Sequence, residues 1–440
     1  MLLIYMNTKE KNILSSRLCV LFFLQFAAWG AYLTSMGAYL AKIGLTSQIG
    51  YFYSVQGIVA IFMPTLMGIV ADRWIQAQKL LAACHFSCAG LMAVVALRGL
   101  SSDPSFLSLF VPYTMAVAFY MPTLSLSNSV AYSAMSGADI DKVATFPRIR
   151  IFGTLGFIAS MWIVDLIGAQ ESPQQFIIAA VWGVIMGVYS LTMPQCPVAE
   201  HNETKSIAEQ LGLNAFKLFL NKRMCIFFIF SALLGMSLQV TNSFANPYIR
   251  SFAKVPEFAR SPFVEHSNML ISLSQLSELL CILLIPFFMK RFGIKTVMLI
   301  SMLAWVLRFG LFGIGYPAWP GITALVLSMI VYGVAFDFFN ISGSLYVDNN
   351  VGTSLRSSAQ GLFVLMTNGI GSSIGMLLAQ MVINETVVPA ISATTRIEGW
   401  QTAWLIFAAY SAIVALLFAL LFKSGGNEKE EREEVLDSVE

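Results

Sequence analysis

An all-α polytopic membrane protein, with twelve transmembrane helices in two six-helix halves, is the fold this sequence predicts. Three observations lead there. Hydrophobic residues make up 57% of the chain and charged residues 11%, and 34 phenylalanines outnumber the 24 acidic residues. A soluble chain of 440 residues could not cover so much apolar surface. Many apolar runs also reach the roughly 20 residues needed to cross a hydrocarbon core of about 30 Å. Finally, the longest polar segment, Gln195 to Arg223, splits those runs into two similar sets.

Taken in order, the first run spans about Ile13 to Ala41 and is too long for a cleaved signal segment, so it is read as span one. The opening Met1-Leu-Leu-Ile-Tyr5 reads as dispensable, with Met6 the candidate start. Spans two to six are expected at about 49–71, 80–99, 105–134, 147–169 and 175–194. Spans seven to twelve are expected at about 224–248, 267–289, 294–316, 321–346, 358–383 and 400–423. Residues 1–194 then form an N-terminal half, 195–223 a cytoplasmic linker with an amphipathic piece at Leu211–Leu220, and 224–423 a C-terminal half. The end, 424–440, is an acidic cytoplasmic tail carrying Glu428-Lys-Glu-Glu-Arg-Glu-Glu434, which reads as a solvated segment. Two parallel halves, each of inverted three-helix repeats, are the plan of the major facilitator superfamily.

Lys and Arg set the orientation. On this plan the outer side holds only Lys42, Arg98, Arg250, Lys254, Arg260 and Arg396, while most of the 26 Lys and Arg fall on the other side. The positive-inside rule therefore places both termini in the cytoplasm. The formal net charge of +2 gives no reason to expect nucleic acid as a partner. The six cysteines (Cys19, Cys84, Cys88, Cys196, Cys225 and Cys281) are scattered, mostly in apolar runs, and read as small packing residues rather than a disulfide or zinc framework. No metal site and no nucleophile–base set is apparent, so an enzyme is not expected.

The loop after span two reads Gly68-Ile-Val-Ala-Asp72-Arg73-Trp74 and ends at Lys79; its counterpart after span eight is Pro286-Phe-Phe-Met-Lys290-Arg291-Phe-Gly293-Ile-Lys295. These resemble the superfamily's gating signature. Gly68 is expected to allow close helix approach, Asp72 to sit at a neighbouring helix N-terminus in one conformation, and Arg73 to complete the motif.

The most informative residue is Asp337, inside an apolar run from Ile322 to Val347. Ionising a lone carboxylate at that depth costs at least about 2.5–3.5 kcal/mol, and such residues mark substrate or ion paths. Span five places Arg150, Thr154 and Phe157 at i, i+4 and i+7, on one helical face. Span seven carries Gln239 and Asn242, and span eight Gln275 and Glu278, each pair at i, i+3. Unsatisfied amides are expensive in mid-span, and two such pairs plus a carboxylate exceed what helix–helix adhesion needs. A polar cavity is expected. Arg150 against Glu278 and Asp337 leaves an excess of acid, which suits binding and release of a proton. Amides suit a base edge, carboxylates suit vicinal hydroxyls, and Phe157, Tyr332 or Phe336 offer stacking faces. A neutral, planar, hydroxylated solute fits; sugars and aromatic metabolites stay open on physics alone.

Several runs carry a more specific resemblance. Phe146-Pro-Arg-Ile-Arg-Ile-Phe-Gly-Thr154, Leu238-Gln-Val-Thr-Asn242, Ser274-Gln-Leu-Ser-Glu278 and Val331-Tyr-Gly-Val-Ala-Phe-Asp-Phe-Phe-Asn-Ile-Ser-Gly-Ser344 resemble the nucleoside:proton symporter family. So do Leu24-Gln-Phe-Ala-Ala-Trp29-Gly30 and the Ala359-Gln-Gly361 and Met366-Thr-Asn368-Gly369 stretches. The resemblance covers the chain from span one to span twelve and is strongest to bacterial broad-specificity nucleoside permeases. It implies uptake of purine and pyrimidine nucleosides such as uridine and adenosine, driven by protons, across the inner membrane. It also implies substrate binding by Arg150, Thr154, Phe157, Gln239, Asn242, Gln275, Glu278, Tyr332, Phe336 and Asp337. Phe152 stands where the family pattern has Trp, and Arg148 where it has a second Pro.

The expected protein is thus a monomeric symporter in the lipid bilayer, working by alternating access about a midplane site. The proton is its coupling ion and no other cofactor is expected; Asp337 is the first choice as coupling carboxylate and Glu278 the second. A proton-coupled sugar or oligosaccharide carrier is the alternative within the class, and a non-transporting membrane sensor the alternative outside it. His85 reads as a satisfied packing histidine and Arg308 as a snorkelling or paired charge near the outer face. Gly371-Ser-Ser-Ile-Gly375 reads as a small-residue packing face.

Overall fold

The computed structural model describes residues 8–196, 213–352 and 355–422. The candidate start at Met6, most of the linker between the halves and the acidic tail 424–440 lie outside the described residues. Among the described residues there is no strand, and eleven helices are long and apolar enough to cross a membrane. One of them, Ser267–Ile314, has 48 residues. At 1.5 Å per residue it would run about 72 Å, more than twice the hydrocarbon core. It breaks at Gly293, where φ is 72° and ψ 168°, a conformation open in practice to glycine alone. Spans eight and nine are the two sides of that break, and the fold has twelve spans.

Span one is Thr8–Gly30, followed after a turn by Met36–Lys42. Span two is Ile49–Arg73, span three Ala77–Gly99, span four Phe106–Gly137, span five Lys142–Leu166 and span six Gln174–Leu191. Span seven is Lys222–Leu238 and then Val240–Ser251, with the break at Gln239. Span ten is Gly321–Asn350 and span twelve Ala393–Leu421. Span eleven is Arg356–Val364, a π-helical stretch Leu365–Gly371, and Ser372–Thr386. A short 3-10 helix, Leu213–Leu220, precedes span seven.

Local chemistry explains several boundaries. The Asn221 side chain accepts from the backbone N–H groups of Arg223 (3.0 Å) and Met224 (3.1 Å), capping span seven. Ser392 and Thr395 form a reciprocal capping box at the start of span twelve. Between those ends, side chains such as Leu97, Leu280, Leu283 and Leu420 remain exposed, as lipid-facing positions require.

The chain forms two compact units, one of Met1–Leu45 and Val59–Thr204 and the other of Thr46–Ile58 and Lys205–Glu440. The opening turns of span two, which the sequence assigns to the N-terminal half, thus count with the second unit. The Gly50 N–H donates to Gln380 Oε1 (2.6 Å) and the Ser373 hydroxyl to the Ser54 carbonyl (3.2 Å).

Small residues set the close approaches within each unit. In the first, spans one and five touch through glycine: a Cβ at Gly156 would strike the Phe23 backbone, and one at Gly30 the Phe157 backbone. In the second, a Cβ at Gly333 of span ten would strike the backbone of Ser277 in span eight. Gly371 and Gly375 lie against the backbones of Ala232 and Met236 of span seven, the packing face read from their spacing. Cys281, Ile285, Val297 and Phe338 form a buried cluster among spans eight, nine and ten, so Cys281 is a packing residue.

Candidate functional site

In the first unit, span five is one unbroken helix through Arg150, Thr154 and Phe157. The Arg150 guanidinium lies 4.0 Å from the centroid of the Phe26 ring. Gly153 makes room for it, since a Cβ there would come within 2.7 Å of both Arg150 Nη1 and the Phe26 ring. Arg150 is therefore more than a snorkelling charge: its flat cation is held over an aromatic face of span one. Phe157 is buried and meets Trp29 edge-on at 6.2 Å; Trp29 lies 6.3 Å from Phe26 and 5.8 Å from Tyr120.

A polar network lies beneath these rings. Gln25 is fully buried; its Nε2 donates to Thr123 Oγ1 (2.7 Å), and its Oε1 is 2.8 Å from His85 Nε2. The Gln25 carbonyl accepts from the Tyr120 hydroxyl (2.8 Å). Because an amide oxygen only accepts, His85 Nε2 carries the hydrogen. His85 Nδ1 is buried and has no hydrogen-bond partner among the described residues. His85 is a packing histidine, as the sequence suggested, with one of its two ring nitrogens bonded.

In the second unit, Gln239 sits at the break of span seven, between Leu238 and Val240, with φ −93° and ψ −11°. The interruption brings Asn242 Nδ2 within 3.0 Å of Gln239 Oε1, so the two amides form one unit. Gln275 is buried, and its Oε1 accepts no hydrogen bond from the described residues. Glu278, one turn further along span eight, is half-buried.

Span ten supplies the rest. Tyr332 and Phe336, one turn apart, are stacked with centroids 5.5 Å apart and planes 21° from parallel; Tyr332 is buried, while Phe336 keeps part of its surface open. Asp337 is 5% exposed, and its Oδ2 has no hydrogen-bond partner among the described residues. Glu278 and Asp337 are within electrostatic range of each other and of the Tyr332 hydroxyl. The structure thus gathers Gln239 with Asn242, and Tyr332 with Phe336, Glu278 and Asp337. Arg150, Thr154 and Phe157 belong to the other unit.

The gating motif fares differently. A Cβ at Gly68 would have nothing within 4 Å, so in this conformation the glycine does not serve a close helix approach. Span two is half-buried around Gly68. Arg73 is exposed at the last residue of the helix, and the Asp72 side chain lies outside the described residues.

Sequence reasoning passed over four features of these sites. Gln25 and Trp29 stood only inside a quoted run. Arg308, read as a snorkelling or paired charge, is 2% exposed and bonded inside the second unit. The π-helical stretch in span eleven encloses Asn368, and such bulges concentrate at functional sites. Among the described residues, no group of three or more His, Cys, Asp or Glu could hold a metal ion.

Comparison with known proteins adds the family-level facts. The family described as nucleoside H+ symporter matches residues 12–427. The xanthosine permease of Escherichia coli (strain K12) is 47% identical over 412 residues, covering 93% of this chain and 96% of that protein. The nucleoside permease NupG of the same strain is 46% identical over 413 residues, with the same coverage of 93% and 96%. A crystal structure of nucleoside transporter NupG superposes with a TM-score of 0.85 at 46% identity, over 94% of this chain and 100% of that one.

Proposed function

Since the chain belongs to the nucleoside H+ symporter family, we propose that it imports purine and pyrimidine nucleosides across the bacterial inner membrane, each with a proton. It is a transporter of the major facilitator fold and not an enzyme. The excess of Lys and Arg on one side of the membrane plan supports cytoplasmic termini. The working unit is a single chain.

One observation carries the assignment of roles: Asp337, mid-span in Gly321–Asn350, is buried with one oxygen accepting no hydrogen bond, beside the stacked Tyr332 and Phe336. A charge held there without donors is costly. A proton delivered to that oxygen removes the charge, and Glu278 is the second acid within range. The proton therefore rides on Asp337, with Glu278 as the alternative carrier.

The remaining residues divide the nucleoside between them. Phe336, backed by Tyr332, offers a face for the base. The paired amides of Gln239 and Asn242, and the unpartnered oxygen of Gln275, meet the donors and acceptors of the base edge. Glu278 accepts from ribose hydroxyls. In the first unit, Arg150, Thr154 and Phe157 add a cation, a hydroxyl and an aromatic edge. Alternating access then exposes these groups to one side of the membrane at a time, with the proton and the nucleoside bound and released together. A potential of 100 mV supplies about 2.3 kcal/mol per charge, enough for roughly 50-fold accumulation of a neutral solute.

Uptake of labelled uridine, adenosine and xanthosine into proteoliposomes, with and without an inward proton gradient, tests this reading. Gradient-dependent accumulation is expected. Equilibration that ignores the gradient would leave a uniporter, and absence of all nucleoside flux alongside sugar uptake would replace the cargo. Xanthosine belongs in the panel because the chain is as similar to a xanthosine permease as to NupG.

A further inference from the structure

Arg308 of span nine is 2% exposed, yet every partner it has among the described residues is neutral. Its Nη1 donates to the Ser328 carbonyl of span ten (2.7 Å), and the Ser328 hydroxyl donates back to the Arg308 carbonyl (3.0 Å). Both Nη1 and Nη2 lie 3.4 Å from the Ser274 hydroxyl, the residue before Gln275 in span eight. The guanidinium carbon stands 4.4 Å from the centroid of the Tyr332 ring, and Arg308 Nε has no hydrogen-bond partner among the described residues.

A buried cation without a carboxylate is among the costlier things a membrane protein can hold, so its retention calls for a use. A snorkelling arginine would send its head toward water; this one points into a three-helix junction. What it finds there is the electron-rich face of the ring that stacks on Phe336. Trp305, one turn earlier on span nine, meets the same ring edge-on at 6.0 Å.

We propose that Arg308 is a positioning residue for nucleoside recognition: it fixes the Tyr332 ring by a cation–π contact and, through Ser274 and Ser328, ties spans eight and ten into one register, so that Phe336 and Gln275 present a preformed surface to the base. Arg308 does not touch the nucleoside. The proposal rests on the reading of Tyr332 as part of the binding site.

The test is uridine and adenosine binding to the purified full-length transporter, for wild type, Arg308→Met, Arg308→Lys, Tyr332→Leu and the Arg308→Met/Tyr332→Leu double variant. Arg308→Met should weaken binding about tenfold, the size of a desolvated cation–π contact. Arg308→Lys should stay within about threefold, since an ammonium can still lie over the ring. The double variant should lose clearly less than the sum of the two single losses, because part of what Arg308 does passes through that ring. Wild-type affinity in Arg308→Met, or additive losses in the double variant, would overturn the proposal. Wild-type affinity in Tyr332→Leu would instead overturn the reading of Tyr332 as a binding residue. If Arg308→Met does not fold, Ser274→Ala decides: it loosens the guanidinium and should weaken binding about threefold, and unchanged binding would refute the idea.

Discussion

His85 Nε2 lies 2.8 Å from Gln25 Oε1, inside a first unit that buries both side chains completely. This bond fixes the rotamer of Gln25, whose other end binds Thr123 and whose carbonyl holds Tyr120. Through Tyr120 it braces Trp29, and through Trp29 the Phe157 edge. His85→Leu should leave Gln25 Oε1 buried without a donor, at about 1–3 kcal/mol. The expected result is a melting temperature lowered by several degrees in detergent, with His85→Gln recovering part of it because its amide supplies an N–H. Equal melting curves for His85→Leu and wild type would remove the network from the list of stabilising features.

Phe336 is the ring of the stacked pair that keeps part of its surface open. Aromatic stacking on a base contributes about 1–3 kcal/mol per base. Phe336→Ala should therefore raise KM for uridine and adenosine by about tenfold or more, while Phe336→Tyr, which keeps the face, should change it little. Competition by unlabelled nucleosides against labelled uridine uptake measures both. If Phe336→Ala takes up uridine with wild-type KM, the base does not stack there.

Asp337→Asn keeps the size of the side chain and removes the titrating group. Accumulation driven by an inward proton gradient should disappear, while exchange of external labelled nucleoside for internal nucleoside should continue, since exchange needs no net proton movement. The dependence on pH follows from the direction of coupling. In wild type, initial uptake should rise as the outside is made more acidic than the inside; in Asp337→Asn it should be flat. Retained gradient-driven accumulation in Asp337→Asn, with its loss in Glu278→Gln, would move the coupling proton to Glu278.

These residues also mark how far the sequence can be read. Asp337 was legible because a carboxylate in an apolar run stands out, and the spans were legible because membrane thickness sets their length. The two helices in Ser267–Ile314 were separable because Gly293 lies in a basic loop. Backbone interruptions within spans left no such mark. The breaks after Gly30 and at Gln239, and the π-helical stretch at Leu365–Gly371, occur inside runs whose length reads as one span each. Pairings across long separations were equally invisible: His85 and Thr123 meet Gln25 from 60 and 98 residues away. The burial of Arg308 was missed for a related reason. Its acceptors Ser274 and Ser328 belong to other helices, and only the packing shows that they let the guanidinium stay inside.

The approach of spans one and five makes the last prediction. Gly156 lies so close to Phe23 that a Cβ would strike its backbone, and Gly30 faces the Phe157 backbone in the same way. Neither neighbour is a flexible side-chain tip that could swing aside, so Gly156→Ala must push the helices apart. Overpacking of this kind costs about 1–3 kcal/mol. The shift would also move Arg150 relative to Phe26, because the 4.0 Å contact bridges those two helices. Gly156→Ala should therefore lower both melting temperature and nucleoside affinity. Gly90→Ala, at a position where a Cβ meets nothing within 4 Å, should change neither. A Gly156→Ala protein that melts and binds like wild type would mean that the contact between spans one and five is looser in the working transporter. The Arg150 cation would then be positioned by something other than helix packing.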